Sequence, residues 1–183
     1  MKHFALLILL MPLIVNAQTA SSEAKYVCTP CGNSCDSIAY DSPGSCPTCS
    51  MDFVEKSTVN FKNINFAEMC DRIKKNNNIL LLDVRTNGEF TGENKEINSF
   101  GHIKNAININ VSDLESRLSE LEPYKNTEII IYCSHSHRSP RAAYMMTNNG
   151  FKNVTNVIGG VSILESEFGA NECVTDMFVD HVR

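Results

Sequence analysis

Two apolar runs, "ILLLDV" at 79–84 and "EIIIYC" at 128–133, constrain this chain more than any other feature. Neither alternates with polar residues, so each suits a strand covered on both faces, as in a parallel sheet. Helical patterns surround them. "NFAE" at 65–68 has capping-box form, and Phe66, Met69, Cys70 and Ile73 then share one helical face. "AINI" at 106–109 reads as a shorter strand. "SDLE" at 112–115 reads as a second capping box, opening a helix through Leu114, Leu118 and Leu121 that Pro123 stops. A further helix is expected from about Pro140 to Asn149, capped by Ser139 and ended by Gly150. "NVTNV" at 153–157 and a helix after Gly159 and Gly160 complete the series. Strands separated by helices imply an α/β fold, a parallel sheet flanked by helices.

The front of the chain has a different character. Residues 1–17 read as a signal peptide: Lys2, an apolar run of 12 residues from Phe4 to Val15, and small residues ending at Ala17. A spanning helix needs ~20 apolar residues, so cleavage is favoured over a membrane anchor, and the mature protein is expected to be periplasmic or secreted and not membrane-embedded. Residues 18–25 form a flexible leader and 26–54 a Cys-rich module with little apolar content. A link at about 55–63 leads to the main domain at 64–170, and 171–183 read as a C-terminal tail. With 183 residues there is room for one full domain and an appendage. The net charge of −5 and the lack of any basic stripe argue against nucleic acid as a partner.

Cys133 ends the second apolar run, at the sheet edge where ligands of α/β proteins bind. The residues that follow, Ser134, His135, Ser136, His137, Arg138 and Ser139, must curl back before the next helix begins. Such a loop turns backbone N–H groups inward, and the helix N-terminus adds partial positive charge at the same point. Together with Arg138 and Arg141 these groups favour a thiolate, the reactive form of cysteine. His135 and His137 are read as polar rim residues rather than charge donors, and an inert buried thiol is the minority reading of Cys133.

Residues 64–170 resemble a rhodanese domain. "LLDVR" at 81–85 followed by "EF" at 89–90, "GHI" at 101–103, "CSHSHRS" at 133–139 and the glycine pair at 159–160 match the family's motifs in order. Four residues separate Cys133 from Arg138, whereas related phosphatases of this fold have five. The resemblance therefore implies a rhodanese-type sulfurtransferase: Cys133 takes a sulfane sulfur from thiosulfate or a related small-molecule donor, carries it as a persulfide in the 134–139 loop, and passes it to a thiol, protein or cyanide acceptor. It also implies that Arg138 braces the loop and that Asp83, Arg85 and His102 are structural. The chain departs from the family in the lengthened "TGENKEINS" at 91–99, in Ser136 and Asn105 at positions usually glycine, and in lacking an aromatic after the glycine pair.

The Cys-rich module holds five of the eight cysteines. "CTPC" at 28–31 and "CPTC" at 46–49 are separated by fourteen residues, which suits a four-thiolate site of Cys28, Cys31, Cys46 and Cys49. With "SPGSCPTCSMDFV" at 42–54, the module resembles the small heavy-metal-binding domain of copper and silver export proteins. That family usually has His where Cys31 stands and Gly where Ser50 stands. Thiolate in place of imidazole favours zinc or monovalent copper, and two disulfides are the less favoured alternative. Cys35 has no assigned role, and Cys70 and Cys173 are either buried thiols or a pair. The reading is thus an exported sulfurtransferase with a metal-binding module. Its rival is a non-enzymatic metal-binding or sensing protein that uses the same fold to bind a partner.

Overall fold

The computed structural model describes residues 25–94, 96–164 and 172–179. The expected signal peptide and nearly all of the leader lie outside the described residues. No described helix is long and apolar enough to cross a membrane.

The first unit is a three-stranded antiparallel sheet, β1 (Tyr26–Cys28) between β2 (Ala39–Tyr40) and β3 (Phe53–Glu55). A 3-10 turn at Ser34–Ser37 joins β1 to β2. Its interior is mostly sulfur: Cys28, Cys35, Cys46 and Met51, flanked by Cys49 and Phe53.

The link holds more structure than expected. β4 (Lys62–Ile64) is the edge strand of the main sheet and pairs in parallel with β9 (Asn153–Val157). Next comes α1 (Phe66–Lys75), opened by the capping box as expected: Asn65 Oδ1 accepts from Glu68 N at 2.9 Å and Asn65 N donates to Glu68 Oε2 at 3.0 Å. Then follow β5 (Ile79–Asp83), α2 (Asn87–Thr91), β6 (His102–Ile103), β7 (Ile107–Asn108), α3 (Val111–Arg117), β8 (Glu128–Tyr132) and α4 (Arg138–Asn148). All five strands of the main sheet are parallel, in the order β4-β9-β8-β5-β7.

The register explains the unbroken apolar runs. β5 and β8 are neighbours, with Leu80 opposite Ile129 and Leu82 opposite Ile131. Leu80, Leu82, Ile129 and Ile131 pack with Leu114, Leu121, Ala142 and Met146 of the α3 and α4 side. Leu81, Ile130 and Tyr132 face the other way, onto Phe66, Met69 and Cys70 of α1. Both faces are therefore covered, and each buried Leu or Ile contributes about 2 kcal/mol relative to exposure.

Three boundaries away from the cysteine loop differ from expectation. α3 is capped by Asn110, whose side chain accepts from Ser112 N at 3.2 Å, so Ser112 lies inside the helix. Val111 N is bonded to Val84 O as the chain leaves the sheet, which brings Asn110 to the cap before the Ser-x-x-Glu pattern can act. Pro123 does not stop the segment but sits within a 3-10 helix, Leu118–Tyr124. The expected tail contains α5 (Glu172–Met177) and β10 (Phe178–Val179), which pairs with β6. A Cys70–Cys173 disulfide ties α5 to α1 and settles the pairing the sequence left open.

Candidate functional site

β8 delivers Cys133 to the C-terminal edge of the sheet, beside the end of β5. The residue is 1% exposed. Its carbonyl accepts from Val161 N at 2.9 Å, and the Ser134 carbonyl accepts from Ser162 N at 3.1 Å. Gly160 lies against this junction with φ +66, where an added Cβ would sit 2.3 Å from Ser134 O and 2.5 Å from Cys133 O. The second glycine of the pair is therefore demanded by the backbone of the loop it supports.

Arg138 closes the loop. Its guanidinium forms two parallel hydrogen bonds, each 2.7 Å, to the Glu89 carboxylate, and Nη2 also donates to Ser134 Oγ at 3.1 Å. Ser134 Oγ donates to Glu89 Oε1 at 3.0 Å. Glu89 is held in turn by the capping box of α2, with Thr86 N and Thr86 Oγ1 donating to Oε2 at 3.0 and 2.8 Å. Burial opposes its charge, but Arg138 and the two Thr86 donors prevail and bring the carboxyl down to about 2. Arg138 is thus a brace, as the resemblance implied. Its charge is committed first to Glu89, and Cys133 lies in its field behind that pair.

The rest of the 134–139 segment divides between rim and base. His135 and His137 are exposed, and His135 packs edge-on against Phe100 at 5.5 Å. Arg141 is also exposed, on the outer face of α4, so of the two arginines expected near the thiol only Arg138 belongs to the loop. Helix α4 starts earlier than predicted: its N-cap is His137, which makes no side-chain cap hydrogen bond. Ser139, expected as that cap, lies in the first turn and donates from Oγ to Cys133 Sγ at 3.3 Å. Ser136 takes φ +59, the left-handed conformation that favours glycine, the residue the resemblance led one to expect there. Asn105 and Ser50, the other two residues at expected glycine positions, do the same at φ +62 and +57.

Asp83 and Arg85 are fully buried beneath the site. Arg85 Nη2 donates to Asp83 Oδ2 at 2.6 Å and to Gly101 O at 2.7 Å, and Nη1 donates to Ser99 O, so the pair anchors the lengthened 91–99 connection. His102 packs on Phe90 at 4.2 Å.

The module's thiols form a second candidate site. The sulfurs of Cys28, Cys31, Cys35 and Cys49 all lie within 4.8 Å of one another, with Cys28 to Cys49 at 3.2 Å and Cys35 to Cys49 at 3.8 Å. A tetrahedral zinc–thiolate site with ~2.3 Å bonds has sulfur–sulfur edges of ~3.8 Å, so these four residues fit a metal ion. The set differs from the expected one by a single member, Cys35 in place of Cys46, because the Ser34–Ser37 turn folds Cys35 inward. Cys46 remains buried in the same cluster. Burial and neighbouring sulfurs push Cys28 up and Cys35 up to about 12, and burial with the Asp36 carboxylate pushes Cys31 up to about 11. At Cys46 burial acts the same way but is outweighed by the backbone N–H groups of Cys49 and Thr48, which hold it at about 6.

Sequence reasoning missed Glu89 as the partner of Arg138, Ser139 as the donor to Cys133, and Cys35. The first was legible in "TNGE" at 86–89, a capping box whose Glu is free to bond twice.

A parallel sheet flanked by helices, with a cysteine loop at the end of its central strand, is a rhodanese-like fold. The rhodanese-like domain family matches residues 66–166, and the chain belongs to that family, which is of sulfurtransferase type. Among its curated relatives, "tRNA uridine(34) hydroxylase" from Buchnera aphidicola is 32% identical over 99 residues, covering 52% of this chain and 29% of that protein. "Thiosulfate sulfurtransferase GlpE" from Coxiella burnetii is 28% identical over 100 residues, covering 55% of this chain and 83% of that one. The chain spans between 26% and 56% of the length of the first five curated relatives it matches. Of solved structures, the reduced CoADR-RHD of Bacillus anthracis superposes with a TM-score of 0.50 at 28% identity, over 66% of this chain and 18% of that one.

Proposed function

We propose that the protein is an exported sulfurtransferase that works through Cys133. The observation that carries this reading is the placement of Cys133 at the foot of the four-residue loop, with Ser139 Oγ on its sulfur and the Arg138–Glu89 pair closing the loop. In the first half-reaction the Cys133 thiolate attacks the outer sulfur of a donor such as thiosulfate. A sulfur–sulfur bond forms to Cys133, the donor's own sulfur–sulfur bond breaks, and the electron pair leaves with sulfite. Ser139 Oγ and the first turn of α4 stabilise the charge on the carried sulfur. In the second half-reaction cyanide or a thiolate attacks that outer sulfur, and the electron pair of the broken bond returns to Cys133. Support comes from the family, and from GlpE, whose name specifies a thiosulfate sulfurtransferase. The Cys70–Cys173 disulfide supports export, since such bonds persist in oxidising compartments.

The thiol module is assigned zinc or monovalent copper, the ions that suit a four-sulfur set. This same set favours the rival reading, a metal-binding or sensing protein without turnover. Thiocyanate production from thiosulfate and cyanide separates the two. The full chain is expected to show turnover, to gain ~32 Da on donor treatment, and to lose both in Cys133→Ser. Turnover that survives Cys133→Ser refutes the assignment, and absence of turnover with every sulfane donor favours the rival.

A further inference from the structure

The thiol cluster and the Cys133 loop meet at one corner. Ser136 Oγ, buried, donates to the Cys31 carbonyl at 2.8 Å. Beside it Gly32 has φ +99, and an added Cβ would lie 2.5 Å from Ile158 Cγ2, so the module's backbone rests directly on the main domain. Asp36 fixes the corner from the module's side, accepting from the Cys31 and Gly32 amides at 2.9 and 2.7 Å. Cys31 therefore belongs to the four-sulfur set and also holds the left-handed turn three residues past Cys133.

The contact has a weak point on each side. Behind it, Asn156 Nδ2 donates to Asn63 Oδ1 at 2.8 Å and reaches Ser136 Oγ at 3.5 Å, while its buried Oδ1 has no partner. Such a group carries a penalty of about 1–3 kcal/mol. In front of it, a module whose core is a handful of sulfur atoms and Phe53 cannot order its backbone on apolar burial alone. Metal–thiolate bonds supply what the core lacks in modules of this size.

We infer that the cluster of Cys28, Cys31, Cys35 and Cys49 is an effector site for a soft d10 cation, and that its loading controls access to Cys133. With the four thiolates drawn together, Cys31 and its carbonyl are fixed, the Ser136 turn stays fastened, and Cys133 stays covered. Without the cation nothing holds the four sulfurs to one centre, the Cys31–Gly32 corner loosens, the turn is released, and the sulfur opens to a donor. The consequence for sulfur transfer rests on the reading above, but the coupling itself is a matter of thiol accessibility.

The test uses the full chain with zinc alone, reading Cys133 alkylation by iodoacetamide through peptide mass spectrometry and metal content through native mass spectrometry. One zinc per chain is expected, with alkylation of Cys133 slowed at least about tenfold by loading. Ser136→Gly keeps the φ +59 turn and deletes the hydroxyl, so it is expected to bind zinc at the same stoichiometry and lose the protection. Cys35→Ser is expected to lose both. Equal alkylation with and without zinc, full protection in Ser136→Gly, or failure of the reduced chain to take up zinc overturns the inference. A thiocyanate assay run in parallel distinguishes the two failures: zinc-dependent protection without turnover removes the sulfurtransferase reading and leaves the coupling standing.

Discussion

Glu89→Gln tests the physical basis of the loop most directly, because it keeps the shape of the side chain and removes one charge. Glu89 is 6% exposed at its side chain and Arg138 29%, so the pair is poorly screened by solvent. The carboxyl falls from 4.5 to about 2 on folding. At ~1.4 kcal/mol per pH unit, that difference makes the ionised form worth about 3 kcal/mol to the folded state. The folded value is the lower one, so this stability is fully present above pH ~4.5 and disappears as pH falls toward ~2. Glutamine cannot supply it, since its NH2 group meets either the guanidinium or the Thr86 donors. Urea unfolding of wild type and Glu89→Gln is therefore expected to differ by about 3 kcal/mol at pH 7, on the order of 10 °C in Tm for a chain of this length. The two curves should converge between pH 4.5 and 2, because only the wild type has a proton to take up there. Parallel curves through that window, or a difference below ~1 kcal/mol at pH 7, would falsify the view that Glu89 is the charge that holds Arg138.

Two further substitutions probe the frame around the site. Gly160→Ala places a methyl group 2.3 Å from the Ser134 carbonyl, and should cost about 3 kcal/mol and most of the thiocyanate-forming activity; a loss within ~1 kcal/mol in urea would mean the loop yields easily. Replacing Cys70 and Cys173 together by alanine opens a bridge between residues 103 apart and should lower stability by roughly 4–5 kcal/mol under non-reducing conditions. A shift in the urea midpoint too small to register would show that packing of α5 alone holds the C-terminal segment.

The order of strands and helices was readable because both central strands are covered on two faces, so "ILLL" and "EIII" run without polar alternation between helical patterns. Cys133 was readable for a related reason, since a strand end followed by Arg and a helix fixes its place in the layer. β4 was not. Its three residues bury only Ile64, and it exists because β9 offers an unpaired edge. The caps of α3 and α4 each shifted by two residues because Val111 N takes a partner in the sheet and Ser139 Oγ one on the thiol, contacts that local pattern does not contain. Cys35 was left without a role because the Cys-x-x-Cys spacing describes two turns of chain and is silent on a third that folds in from outside them. Glu89 forms a short-range cap to Thr86, which is visible in sequence, and a bond to Arg138 forty-nine residues away, which is not.

The disulfide and the Cys133 thiol occupy opposite sides of the main sheet: Cys70 and Cys173 pack with α1, whereas Cys133 packs with the α3 and α4 side. Thiol–disulfide exchange needs the attacking sulfur to approach a disulfide sulfur directly, and here β8 and its neighbours stand as a wall between them. The Cys70–Cys173 bond and the Cys133 sulfur therefore share one small domain without reshuffling, and under the proposed reaction a persulfide on Cys133 would have no disulfide among the described residues within reach.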